Sequence, residues 1–135
     1  MRDATGPMKW SSRLATLAVL GLEGGVLGCS STTCTPSIET GIEVVVTDSV
    51  TRKPVCGATV VAYDGAYFET LRGSKSSPEN PCSGTYTGAD ERAGTYQIEV
   101  SAAGSSCRAA TAKAVVPQRG CHVVPQLVAV TLTAM

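Results

Sequence analysis

From residue 41 onward, apolar residues recur at every second position in short runs, and turn-forming residues cut the runs off. Residues 95–100 show this most cleanly: Tyr96, Ile98 and Val100 alternate with Gln97 and Glu99. Successive side chains of an extended chain point to opposite faces, so this period sends one face to a core and the other to solvent. The same period runs through Ile42, Val44 and Val46 against Glu43, Val45 and Thr47. Residues 58–63 (ATVVAY), 66–71 (AYFETL), 112–116 and 127–133 read as further short strands. Asp64-Gly65 stands between two of them and predicts a hairpin with a type I′ turn. Residues 51–54 (TRKP) predict a turn, and residues 72–84, rich in Gly, Ser and Pro, a surface loop. About seven short strands at this spacing, with no 3.6-residue period outside the first thirty residues, predict a small all-β antiparallel sandwich over residues 41–135.

The chain of 135 residues has the length of one domain. From Cys29 onward it carries eight basic and nine acidic residues, with no basic run. That balance excludes nucleic acid as a partner. Six cysteines are many for a cytosolic protein of this size. They show no C-x-x-C spacing and no Cys/His knuckle, so the pattern points to an oxidising compartment and not to a metal.

Arg2, Lys9 and Arg13 precede the apolar stretch LATLAVLGL at 14–22. A basic region followed by so short an apolar one has the form of an export signal over residues 1–28, with Met8 an alternative start. Nine helical residues rise about 13 Å, too little to cross a hydrocarbon core about 30 Å thick. Val26-Leu27-Gly28-Cys29 follows and resembles the lipobox of bacterial lipoproteins. That resemblance implies cleavage before Cys29, acylation of its thiol, and a membrane as partner through the lipid anchor. Residues 29–40, opening on Ser30-Ser31-Thr32-Thr33, then read as the lipidated cysteine and a polar tether. Without the resemblance, Cys29 is a disulfide cysteine of a soluble, secreted domain.

The strand region resembles the carboxypeptidase regulatory-like domains, whose fold is a transthyretin-like sandwich. The matching residues are Val44-Val45-Val46-Thr47-Asp48, Lys53-Pro54-Val55-Cys56-Gly57-Ala58-Thr59-Val60, Gly94-Thr95-Tyr96-Gln97-Ile98-Glu99-Val100 and Ala103-Gly104. Their order and spacing cover about residues 42–133. The resemblance implies the sandwich; the expectation of a non-enzymatic module rests on the residues weighed below. The transthyretin-like fold also hosts hydroxyisourate hydrolases, which use several histidines and a Tyr-Arg-Gly-Ser tail. This chain has one histidine and ends Thr133-Ala134-Met135.

A lipidated Cys29 leaves five cysteines, hence at most two internal bridges and a spare thiol. An unmodified Cys29 allows three bridges. Position along the strands favours Cys82–Cys121, which would tie the long loop to the last strand, and then Cys56–Cys107.

No residue set marks a catalytic, metal or cofactor site. His122 is the lone candidate base, and its neighbour Cys121 points to the opposite face of a strand, which makes His122 a strand-edge residue beside a structural cysteine. Asp90-Glu91-Arg92 reads as a solvated loop or an ion pair. Tyr67, Phe68 and Tyr86 are the candidate ligand contacts. Exposure of Tyr63, Tyr67 and Phe68 together would point to a glycan- or peptide-binding domain, and their burial to a structural module. The expected function is that of a lipid-anchored module of the bacterial cell envelope, at the outer membrane or periplasmic face, working with another envelope protein. The alternative is a secreted ligand-binding domain.

Overall fold

The structure, a computed structural model, describes residues 33–79, 81–102 and 109–133. The expected signal segment, Cys29 and Cys107 lie outside the described residues. Ten strands and no helix occur among those described. They are β1 (Ile42–Asp48), β2 (Ala58–Asp64), β3 (Tyr67–Thr70), β4 (Arg72–Gly73), β5 (Thr85–Gly88), β6 (Gly94–Ala102), β7 (Ala110–Val116), β8 (Gln118–Arg119), β9 (His122–Val123) and β10 (Gln126–Leu132). One four-stranded sheet has the order β10-β1-β5-β4, the other β3-β2-β6-β7, and β8-β9 forms a small hairpin. The chain visits the sheets in pairs, and both contribute to one core, in the manner of a β-sandwich.

The period-two reading decides which side chains fill that core. On β6, Tyr96, Ile98 and Val100 are fully buried while Gln97 and Glu99 are exposed. Ile42, Val44 and Val46 on β1, Val60 and Ala62 on β2, and Val130 and Leu132 on β10 meet them. Each fully buried Val or Ile contributes on the order of 1.5–3 kcal/mol.

Three local expectations are corrected, and one strand appears that the pattern does not predict. The sandwich is not wholly antiparallel: β1 and β10 pair in parallel, Val44 opposite Val128. Residues 72–84 are not all loop, since β4 pairs with β5. Residues 85–88 form a strand because the backbone of Tyr86 pairs with Val44 and its ring is buried. The hairpin loop is Gly65-Ala66, because Asp64 and Tyr67 still pair as strand residues. Gly65 has φ +61° and Ala66 is not left-handed, so the turn takes the glycine-first form and not type I′.

Two tyrosines fasten loops to this frame. The Tyr86 hydroxyl donates to the Val55 carbonyl at 2.9 Å and accepts the Ala58 N–H at 2.8 Å. The Tyr96 hydroxyl donates to the Arg92 carbonyl at 2.9 Å. That bond, from near the start of a strand back to the chain just before it, is the corner that tyrosine makes in Greek-key sandwiches.

Candidate functional site

The disulfides join other partners than position along the strands suggests. Cys56 pairs with Cys82, and Cys121 pairs with Cys34. The expected Cys82–Cys121 bridge does not form, and Cys56 is not left for Cys107. The reason is the fold: Cα atoms of the true pairs stand 6.0 and 5.6 Å apart, within disulfide reach.

The Cys34–Cys121 bridge changes the reading of the segment before β1. Residues 34–39 are strapped to the sandwich and are not a free tether. Beside the bridge, Thr35 Oγ1 lies 2.9 Å from His122 Nε2, and Ser37 Oγ lies 3.0 Å from Thr35 Oγ1. Further along, the Glu39 N–H donates to Glu91 Oε1 at 2.8 Å, and the Glu91 N–H donates to the Glu39 carbonyl at 2.9 Å. His122 Nδ1 lies 2.6 Å from the same Glu91 Oε1. A neutral ring with its proton on Nδ1 satisfies both contacts, donating to Glu91 and accepting from the Thr35 hydroxyl.

Glu91 belongs to the turn between β5 and β6, and each charge of Asp90-Glu91-Arg92 takes a separate partner. Asp90 meets Arg72 at 2.5 Å, Glu91 meets His122, and Arg92 meets Asp64 at 2.7 Å. The Arg92 guanidinium also donates to the Tyr96 hydroxyl at 2.8 Å and lies 3.8 Å from the centre of the Tyr67 ring. Asp64, and after it Tyr96, raise the Arg92 pKa. The turn thus holds β2, β3, β4, β6 and β9 together at one end of the sandwich. Ala89 and Glu91 adopt positive φ, 55° and 52°. The Ala89 N–H is held by Glu69 Oε2 at 2.9 Å. A sequence reading sees three adjacent charges and cannot see that they diverge.

The chain hydroxyl–imidazole–carboxylate through Thr35, His122 and Glu91 has the connectivity of an acid–base relay. Its members here act as a clamp. A cleft of about 470 Å³ lies away from it, against Tyr63, Thr95, Tyr96, Gln97, Glu99 and Lys113. No group of three or more His, Cys, Asp or Glu placed to hold a metal occurs among the described residues.

The three candidate ligand contacts separate. Tyr86 is buried and both sides of its hydroxyl are used, which removes it from any ligand surface. Tyr67 is half-buried under Arg92, and its hydroxyl donates to Glu69 at 2.8 Å; burial, then that bond, raises its pKa. Phe68 is 68% exposed and stands beside Tyr63, ring centres 6.3 Å apart. In register, Phe68, Tyr63, Gln97 and Lys113 form one row across the outer face of the β3-β2-β6-β7 sheet.

The Glu39 N–H, and after it the His122 ring, hold the Glu91 carboxyl below the usual range. A carboxyl with its folded pKa depressed stabilises the fold above its unfolded pKa and loses that stabilisation as pH falls through the folded value. Glu91→Gln is therefore expected to lower the urea midpoint at neutral pH. The gap from the parent protein should narrow in acid, below the ordinary carboxylate pKa. A gap of constant size from neutral pH to strong acid would contradict the ionic part of the clamp.

The chain matches no protein-family model and no curated protein.

Proposed function

We propose that this chain is an exported, lipid-anchored module of the bacterial cell envelope, with a carboxypeptidase regulatory-like sandwich and a non-enzymatic structural or protein-interaction role. The observation that carries this reading is the use of the cysteines. Two bridges take Cys34, Cys56, Cys82 and Cys121, which supports folding in an oxidising compartment. By count, Cys29 and Cys107 are then each other's remaining internal partners. A lipid on Cys29 therefore entails a thiol at Cys107 that no other cysteine of the chain can oxidise internally.

That coupling gives the test. Protein recovered from envelopes of an expressing bacterium is weighed intact and labelled with a thiol reagent before reduction. The expected mass is that of a chain beginning at Cys29 plus acyl groups, with one labelled thiol, at Cys107. An unacylated mass with no reactive thiol would replace the anchor by a third bridge and make the protein a soluble, secreted sandwich.

The exposed Tyr63–Phe68 pair favours a second reading, a face for glycans or peptides. Aromatic rings with neighbouring amide, carboxylate and ammonium groups can stack on a ligand and hydrogen-bond it. Titration with glycan and peptide arrays separates the readings, since only the second expects binding that Phe68→Ala abolishes.

A further inference from the structure

We propose that the sandwich stands on a lipid surface by the end that carries the Cys34–Cys121 bridge. This rests on the anchor proposed at Cys29 and adds to it an orientation and a contact surface.

Reach decides which end lies near the bilayer. Cys34 is fixed covalently to the body of the domain. Five residue steps separate it from Cys29, and an extended chain of that length spans at most about 17 Å. The seven residues of β1 run about 23 Å from this end of the sandwich to the other. An acyl chain at Cys29 therefore holds the strapped end near the bilayer, and the far end cannot replace it there.

The exposed apolar surface gathers at the same end. Six large hydrophobic residues are exposed among those described: Ile38, Val50, Tyr63, Phe68, Val115 and Leu127. Five of them ring the strapped end. Ile38 lies in the strap. Tyr63 and Phe68 are one position inside the Asp64–Tyr67 turn. Val115 pairs with Thr95 at the start of β6, and Leu127 with Glu43 at the start of β1. Only Val50, in the turn after β1, is at the opposite end. Surface hydrophobics scattered singly need no explanation, but this collar around one end is not scattered.

Part of the acidic charge at this end is paired. Asp64 and Asp90 at this end are paired with Arg92 and Arg72. Glu91 meets the neutral His122 ring, so Glu39, Glu43 and Glu91 remain. Arg119, exposed in the β8-β9 hairpin beside Cys121, supplies a cation for headgroup phosphate. Tyr63 fits the same place, since a ring with a polar tip suits the boundary between chains and headgroups. Such a contact uses a bilayer surface and needs no span.

The mature chain has no tryptophan, the single one being Trp10. Single probes are therefore introduced by Leu127→Trp, Phe68→Trp and Val50→Trp in the full acylated protein. Each is reconstituted in phosphatidylethanolamine–phosphatidylglycerol vesicles, with or without bromine on the acyl chains, after circular dichroism shows the fold intact. The collar probes are expected to shift to the blue on vesicle binding and to lose emission to the brominated chains, while the Val50 probe does neither. Vesicle-bound, acylated protein in which no probe is quenched, or all are quenched equally, would overturn the orientation and leave the anchor standing. Protein that carries no acyl mass would overturn both.

Discussion

Replacing Cys34 and Cys121 together by serine is expected to lower the free energy of unfolding by about 4–5 kcal/mol, the loop-closure entropy of a long bridge. The bridge spans 87 residues, whereas Cys56–Cys82 spans 26. In the chain-entropy model the shorter loop contributes about 3.5 kcal/mol. The measurement is urea unfolding of both double variants without reductant. The Cys34/Cys121 variant should also free the strap, weakening the Thr35–His122 and Glu39–Glu91 contacts at once, so that residues 33–40 become open to protease before the sandwich unfolds. A Cys34/Cys121 loss no larger than the Cys56/Cys82 loss, with the strap still protected, would show that the clamp holds without its covalent bond.

Tyr96→Ala is expected to cost about 3–5 kcal/mol, the range for emptying a buried aromatic site. Tyr96 is fully buried on the central strand β6 and meets the Tyr67 ring edge-on, centres 6.4 Å apart. Its hydroxyl contributes separately. Tyr96→Phe keeps the ring and removes the bond to the Arg92 carbonyl, at an expected cost of about 1 kcal/mol. Thermal or urea unfolding of the two variants divides packing from the corner. If Phe costs as much as Ala, the hydroxyl and its turn, and not the ring, hold this end of the sandwich.

The strands with a strict two-residue period were legible because the backbone itself imposes the alternation. Residues 42–47 and 95–100 need no partner to show which face is apolar. β5 was not legible, because Thr85-Tyr86-Thr87-Gly88 offers one large apolar side chain in four residues. It becomes a strand only where β1 and β4 supply backbone partners on either side. The burial of Tyr86 is hidden from the sequence for the same reason. The Val55 carbonyl and Ala58 N–H that satisfy its hydroxyl lie about thirty residues away in the chain, so no local pattern announces its burial.

What the sequence determined by itself is the all-β character and the core faces of the longer strands. Both follow from short-range rules: side-chain alternation and turn chemistry. What the tertiary structure alone decided is the parallel β1–β10 pairing, the Cys34–Cys121 and Cys56–Cys82 bridges, and the clamp in which Thr35, Glu91 and His122 meet. Those contacts join residues 26 to 87 positions apart. Spacing along a chain carries no distance across a folded core, and which distant groups become neighbours is set only when both sheets close on the same buried residues.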